Sequence, residues 1–296
     1  MLMTSEKINL REERNFGEKL NATFRFIRQN FKPLLRALLL YALPVALLAG
    51  IFSGLHQARL FRSLSGGDVY ETVGEYGVAQ QLTSVNYLLT LFFSMVSVLM
   101  VYLVVYSYMV AYQDTEDEVQ PSAVWEHIKA NALKVIYSGI ALGVVIILSV
   151  FLLGFGIYLG VVLCLFVVVM VREELGLIDT IERCFYLIKR NWWATFGLIF
   201  IVSMIQGMIS WLAALPLGAV MVMKMLQVPG MESEFLLIAS NTLTTLLTTL
   251  TYCISAVAVG FQYYNLVEQK DGIGLLEKAE MIGRHDANNS ANEGDF

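Results

Sequence analysis

Hydrophobic residues in this chain fall into five long unbroken stretches, with polar residues gathered between them. Residues 37–58, 76–113, 135–171, 191–223 and 235–267 contain no Asp, Glu, Lys or Arg, and a helix needs roughly 20 apolar residues to cross a bilayer. The first stretch, ALLLYALPVALLAGIFSGL, predicts one span with a kink at Pro44 that neighbouring helices must compensate. Residues 85–112 predict a second, long enough to tilt or to project past the bilayer. Residues 135–171 are too long for one span and tight for two. The GFG at 154–156 supplies a turn, so a short helical hairpin is expected there. Residues 194–223 and 235–267 add one span each, giving six.

Shorter amphipathic stretches precede three of these spans. Phe16, Leu20, Phe24, Ile27, Phe31 and Leu34 recur at three- and four-residue steps, the period of a helix with one apolar face. Arg25, Arg28, Lys32 and Arg36 form a basic stripe beside them. Before the fifth span, Ile178, Ile181, Phe185, Ile188 and Trp192 repeat in the same way. Such helices suit the membrane interface, apolar side chains down and basic ones among the headgroups. Each stretch closes on Ile, a basic residue, any residue and Asn: Ile27 to Asn30, Ile128 to Asn131, Ile188 to Asn191. These copies precede the first, third and fifth spans. Asn30, Asn131 and Asn191 are therefore expected at joints, where a short amide satisfies freed backbone groups.

The fold predicted is all-α: a polytopic membrane protein with six transmembrane helices as three parallel hairpin repeats, each preceded by an amphipathic interfacial helix. Residues 1–14 form an N-terminal cytoplasmic segment, 15–267 the membrane domain (repeats about 15–112, 120–171 and 176–267), and 268–296 a cytoplasmic tail. The end of that tail, HDANNSANEGDF, reads as disordered.

Composition agrees with lipid as the main solvent. The chain is 57% hydrophobic and 15% charged, where soluble domains carry about a quarter charged residues. With the N-terminus inside, 17 of the 20 Lys and Arg fall on the inner side, leaving Arg59, Arg62 and Lys224 outside. That asymmetry predicts an N-in, C-in topology. The first 36 residues lack a cleavable signal pattern, so the first span is expected to serve as the targeting signal. The net charge of −5 says little about partners, because acidic residues sit in the same loops; no nucleic-acid partner is expected, and DTEDE at 114–118 reads as a solvated connector.

Candidate chemistry is sparse. The span cores hold no Asp, Glu, Lys or Arg, which disfavours proton-coupled transport and carboxylate catalysis within the bilayer. His56, His127 and His285 are far apart, and Cys164, Cys184 and Cys253 lack CxxC spacing, so no metal, cofactor, disulfide or enzymatic activity is expected. Thr244, Thr248, Thr251 and Ser255 share one face of the sixth span, with Gln206, Ser203 and Ser210 in the fifth. That seam reads either as helix packing or as the lining of a polar site. Gly139 with Gly143, and Gly156 with Gly160, make two small-residue pairs expected to bring the hairpin's backbones together. The outer loop SLSGGDVYETVGEYGVAQQ is the longest external segment and a possible partner surface. Arg25, Arg28, Lys32, Arg36, Lys189 and Arg190 are candidates for anionic lipid contact, at about 1 kcal/mol per charge near the surface. Trp192 and Trp193 belong to an interfacial aromatic belt.

The stretch ERCFYLIKRNWWATFGLIF, after a loop opening EELG, resembles the membrane domains attached to some glycerophosphoryl diester phosphodiesterases and related six-helix bacterial proteins. The resemblance implies a membrane module. It transfers no catalytic residue, because the phosphodiesterase domain and its His-Arg-Gly type motif are absent. Two functions follow. The first is a non-enzymatic scaffold or accessory module in envelope or lipid biology, with a closed Gly- and Thr-packed core. The alternative is a small transporter or lipid-handling protein, with a mid-membrane cavity lined by Thr244, Thr248 and Gln206.

Overall fold

The structure, a computed structural model, describes residues 7–65, 74–115, 119–150, 155–231, 233–274 and 276. Among these residues every regular element is a helix. In chain order they are α1 (Phe16–Gln29), α2 (Phe31–Tyr41), α3 (Leu43–Ser65), α4 (Glu75–Leu82), α5 (Val85–Asp114) and α6 (Pro121–Val150). There follow α7 (Phe155–Leu163), α8 (Phe166–Glu173), α9 (Leu177–Ile188), α10 (Trp192–Ala213), α11 (Leu215–Met225) and α12 (Glu234–Asp271). Five segments are long and apolar enough to cross a membrane, or six if the bent pair α2–α3 is one span. The predicted turn at GFG, the connector after Thr115, most of the outer loop and the tail end lie wholly or partly outside the described residues.

Proline chemistry accounts for the first bend. α2 and α3 meet at 57° around Ala42, two residues before Pro44. Proline has no N–H for the carbonyl four residues back and its ring crowds that carbonyl. The ladder resumes when the Ala46 N–H donates to the Ala42 carbonyl at 3.1 Å.

The second predicted unit differs from the other two. α1 and α9 are separate helices ending at Asn30 and Lys189, but α6 runs unbroken through Asn131. Asn131 is therefore no joint, and that unit lacks a separate amphipathic helix. Ala130, Ala132 and Leu133 around it are strong helix formers, and its amide donates back to the His127 carbonyl at 3.1 Å. Pro33 follows Asn30 and breaks the ladder there. At the other joint Arg190 takes a left-handed φ of 76°.

α12 and α5 are the central helices. α12 packs on α1, α3, α5, α10 and α11, and α5 on α2, α3, α6 and α8. Close approach of α3 to α12 rests on Gly50 and Gly54, within a run of small buried residues at every fourth position, Ala42, Ala46, Gly50, Gly54 and Ala58. A Cβ at Gly50 would stand 2.9 Å from Thr242 Cα, and one at Gly54 3.0 Å from Ile238 Cα. The amide of Asn241 completes the seam, donating to the Gly50 carbonyl at 3.3 Å and to Ser53 Oγ at 3.0 Å. The predicted glycine pairs act otherwise. Gly139 and Gly143 accommodate Leu99 and Met95 of α5, while a Cβ on Gly160 would meet nothing within 4 Å. Bulky side chains on α5, rather than the hairpin partner, fill the space those first two glycines leave.

Candidate functional site

At the predicted inner end, polar side chains tie the helices together. Phe26 is fully buried, edge-on to Tyr108, Tyr112 and Phe261, so α1 inserts an anchor into the bundle. Asn30 donates to the Phe26 carbonyl at 3.1 Å and accepts from the Tyr108 hydroxyl at 2.9 Å. It secures the end of α1 rather than capping α2 through its side chain. Asn191 reaches Gln269 of α12 at 3.2 Å and likewise makes no side-chain cap. Arg183 of α9 binds Glu173 through two bonds and also Asp271. Tyr263 donates to the same Glu173 at 2.8 Å. Burial alone would lower the Arg183 guanidinium, but the bonds to Asp271 and Glu173 hold its pKa above the ordinary value. The neighbouring Cys184 thiol is pushed up to about 12, mainly by burial.

The cations expected at lipid divide from these structural ones by exposure. Arg25, Arg28, Lys32, Arg36, Lys189 and Arg190 are all exposed. Arg36 lines a cavity of about 460 Å³ with Pro33, Tyr108, Gln120 and Pro121, between α2, α5 and the start of α6. Trp193 is 77% exposed, whereas Trp192 is half-buried, stacked on Tyr158 and Phe196. Only Trp193 projects freely in the way an interfacial anchor would.

The Thr and Ser face of α12 meets α10 in an antiparallel ladder. From the inner end, Gln262 donates to Thr195 Oγ1 at 2.8 Å, and Ser255 donates to Gln206 Oε1. Thr251 and Ser210 share a bond of 3.0 Å, and Thr244 reaches the Ala213 carbonyl at 3.5 Å. Thr248 bonds back to Thr244 and Thr245 of its own helix. Lys19 of α1 joins the inner end, its Nζ donating to Gln262 Oε1 at 2.7 Å. It is 5% exposed, and burial lowers its pKa.

Beside the ladder lies a cavity of about 450 Å³, within the range of small-molecule sites. α10 contributes Leu198, Val202, Ser203, Gln206, Gly207 and Ser210; α12 contributes Tyr252, Ser255, Ala258 and Val259. Tyr102 of α5 and Cys164, in the turn between α7 and α8, close the far side. Ser203 and Gly207 are exposed and form its open rim. At 1.5 Å per residue, Ser203 and Ser210 stand about 16 and 27 Å along α10 from its inner end. The opening thus faces sideways, part-way along the helix. Of the predicted seam, Ser203, Gln206, Ser210 and Ser255 line this cavity while Thr244, Thr248 and Thr251 do not. Thr251 instead holds the ladder together.

Tyr102, Tyr106 and Tyr252 have no place among the sequence-based expectations, and Cys164 enters them only as a cysteine without CxxC spacing. A signal was present in VYLVVYSYMVAY at 101–112, where four tyrosine hydroxyls and that of Ser107 interrupt an otherwise apolar run. Tyr108 and Tyr112 use theirs on Asn30 and the Ile8 N–H. The Tyr106 hydroxyl is buried without a hydrogen-bond partner. Among the described residues, no group of three or more His, Cys, Asp or Glu side chains is placed to hold a metal ion.

An all-helical chain with five or six membrane-length apolar segments belongs structurally to the multi-pass membrane proteins. Comparison with protein-family models, with curated proteins and with solved structures returns no match to this chain.

Proposed function

We propose that this protein is a non-enzymatic, lipid-handling component of the bacterial inner membrane, holding an amphiphile in the cleft between α10 and α12. The observation that carries the reading is the cavity of about 450 Å³ beside the polar ladder, rimmed by exposed Ser203 and Gly207. A site that opens sideways at mid-helix depth is reached from the bilayer, so its natural occupant is dissolved in lipid. The walls combine apolar side chains with a few polar groups, as ligand sites do.

On this reading both termini lie inside. Arg62 pairs with Glu234, and Lys224 lies over the Phe61 ring, which gathers these cations at the end opposite Arg172, Arg183 and Lys270. At the inner end the exposed Arg25, Arg28, Lys32 and Arg36 contact anionic headgroups, drawn by the negative surface of that leaflet. The resemblance to phosphodiesterase membrane domains fits a membrane module of this type. A scaffold role is the second reading, favoured by the small-residue packing of α3 on α12.

Gly207→Trp tests the cleft, because space beyond Gly207 is open for at least 4 Å. The purified wild-type protein is expected to retain a lipid through detergent exchange, detected by native mass spectrometry, and the variant to lose it. Equal lipid retention by both proteins, or none by either, would sink the lipid-handling reading.

A further inference from the structure

The cleft's unused hydrogen-bonding groups can all donate. The Gln206 side-chain oxygen is taken by Ser255, yet its amide nitrogen has no partner among the described residues. The Tyr102 and Tyr252 hydroxyls, both on the cavity wall, also lack one. Tyr106 stands behind that wall, its ring centroid 5.8 Å from that of Tyr102 and its hydroxyl fully buried and unpartnered. A buried hydroxyl without a bond costs free energy, and Gln206, Tyr102 and Tyr252 bring three groups able to donate to one cavity wall, which suits a ligand that supplies acceptors. The walls carry no Asp, Glu, Lys, Arg or His. A phosphate or carboxylate there would be a buried charge without a counterion, which is strongly unfavourable. The remaining surface, Leu198, Ile199, Val202, Ala258 and Val259, suits an acyl or isoprenoid chain.

We propose that the cleft takes an uncharged, carbonyl-bearing amphiphile, its carbonyl oxygens accepting from Gln206 and from the Tyr102 and Tyr252 hydroxyls. This rests on the lipid-handling reading above. Two membrane sources share the chemistry: neutral glycerides with ester carbonyls, and quinones with ring carbonyls.

The test uses full-length protein in nanodiscs with photoactivatable dioleoylglycerol, a photoactivatable quinone and photoactivatable phosphatidylglycerol, crosslinks being mapped by peptide mass spectrometry. One or both neutral probes are expected to label the 198–210 and 252–259 segments, and which one does so identifies the source. Tyr102→Phe and Gln206→Leu are each expected to weaken that labelling about tenfold. Tyr102→Phe should leave the melting temperature of the ligand-free protein unchanged or higher, since its hydroxyl bonds nothing there. Labelling of the cleft by phosphatidylglycerol as strongly as by the neutral probes would overturn the ligand class while leaving the cleft occupied by lipid. Neutral labelling insensitive to both substitutions would overturn the donor assignment. No labelling of either segment by any probe would overturn the lipid-handling reading itself.

Discussion

The two long faces of α12 solve different problems with similar residues. Towards α3, Ile238, Asn241 and Thr242 meet a file of Ala and Gly, and the backbones close to contact distance. Towards α10, Thr251 and Ser255 meet Ser210 and Gln206, and a cavity remains beside them. Side chains of moderate size pack densely only when the opposing helix gives up its own volume. On α10 it does not: Met204, Met208 and Trp211 point outward, and exposure of Met208 and Trp211 reaches 70% and 68%. One seam is dry and fixed. The other is bridged at intervals and open between the bridges.

The sharpest way to break this contrast is Gly50→Leu. Thr242 Cα and its carbonyl stand 2.9 and 3.2 Å from the position of a new Cβ, so backbone must move rather than a flexible side-chain tip. Overpacking typically costs 1–3 kcal/mol and occasionally more. With main chain as the obstacle, a loss of about 3 kcal/mol is expected, read as a large fall in melting temperature and folded yield. A melting temperature within a degree or two of wild type would show that the α3–α12 seam is looser than its geometry implies.

Paired hydroxyl and amide removals sharpen the comparison further. Asn241→Ala strips two inter-helix bonds from a buried site, and such bonds inside membranes are worth about 0.6–2 kcal/mol. Ser210→Ala removes one, but Thr251 Oγ1 keeps its 2.7 Å bond to the Thr248 carbonyl. Its expected cost is below about 0.5 kcal/mol. Chemical or thermal unfolding in one detergent would measure both. Equal losses from the two substitutions would erase the distinction between the seams.

Much of this organisation is legible in the sequence because apolar length and charge-free runs are properties of single segments. The membrane-length stretches and the Pro44 bend are such properties. So is the polar face of α12, since Thr244, Thr251 and Ser255 share a helix face before anything packs on it. Which partner that face meets is not local. Gly139 and Gly143 announce close approach, but the chain does not say that Leu99 and Met95 fill the space. The spacing of Ala42, Ala46, Gly50, Gly54 and Ala58 carried the stronger signal, and its meaning depends on α12 arriving some 190 residues later. Asn131 shows the opposite limit. Its four-residue pattern matches Asn30 and Asn191, but a joint also needs a break in the ladder. Pro33 and the left-handed Arg190 supply that break, whereas Ala130 and Ala132 do not. The cavity depends on three helices together with the turn at Cys164, so only its polar wall of Ser203, Gln206, Ser210 and Ser255 could be anticipated.

The smallest expected effect concerns Lys19, where the open seam reaches the inner end. Lys19 sits on α1 with Gln262 as its hydrogen-bond partner, and Gln262 in turn bonds Thr195. Burial lowers its pKa in the folded protein below the ordinary 10.5. Between that lowered value and the unfolded one, the unfolded chain binds more protons, so this group makes stability rise with pH. The contribution is complete above the unfolded pKa and is lost as pH falls through the folded one. Melting curves of wild type and Lys19→Met from pH 8 to 10.5 isolate the term, since other titrating groups are common to both. Wild type is expected to gain on the variant as pH rises. A constant difference across that range would mean that water reaches the ammonium, and that the seam is already open at its inner end as well as at Ser203 and Gly207.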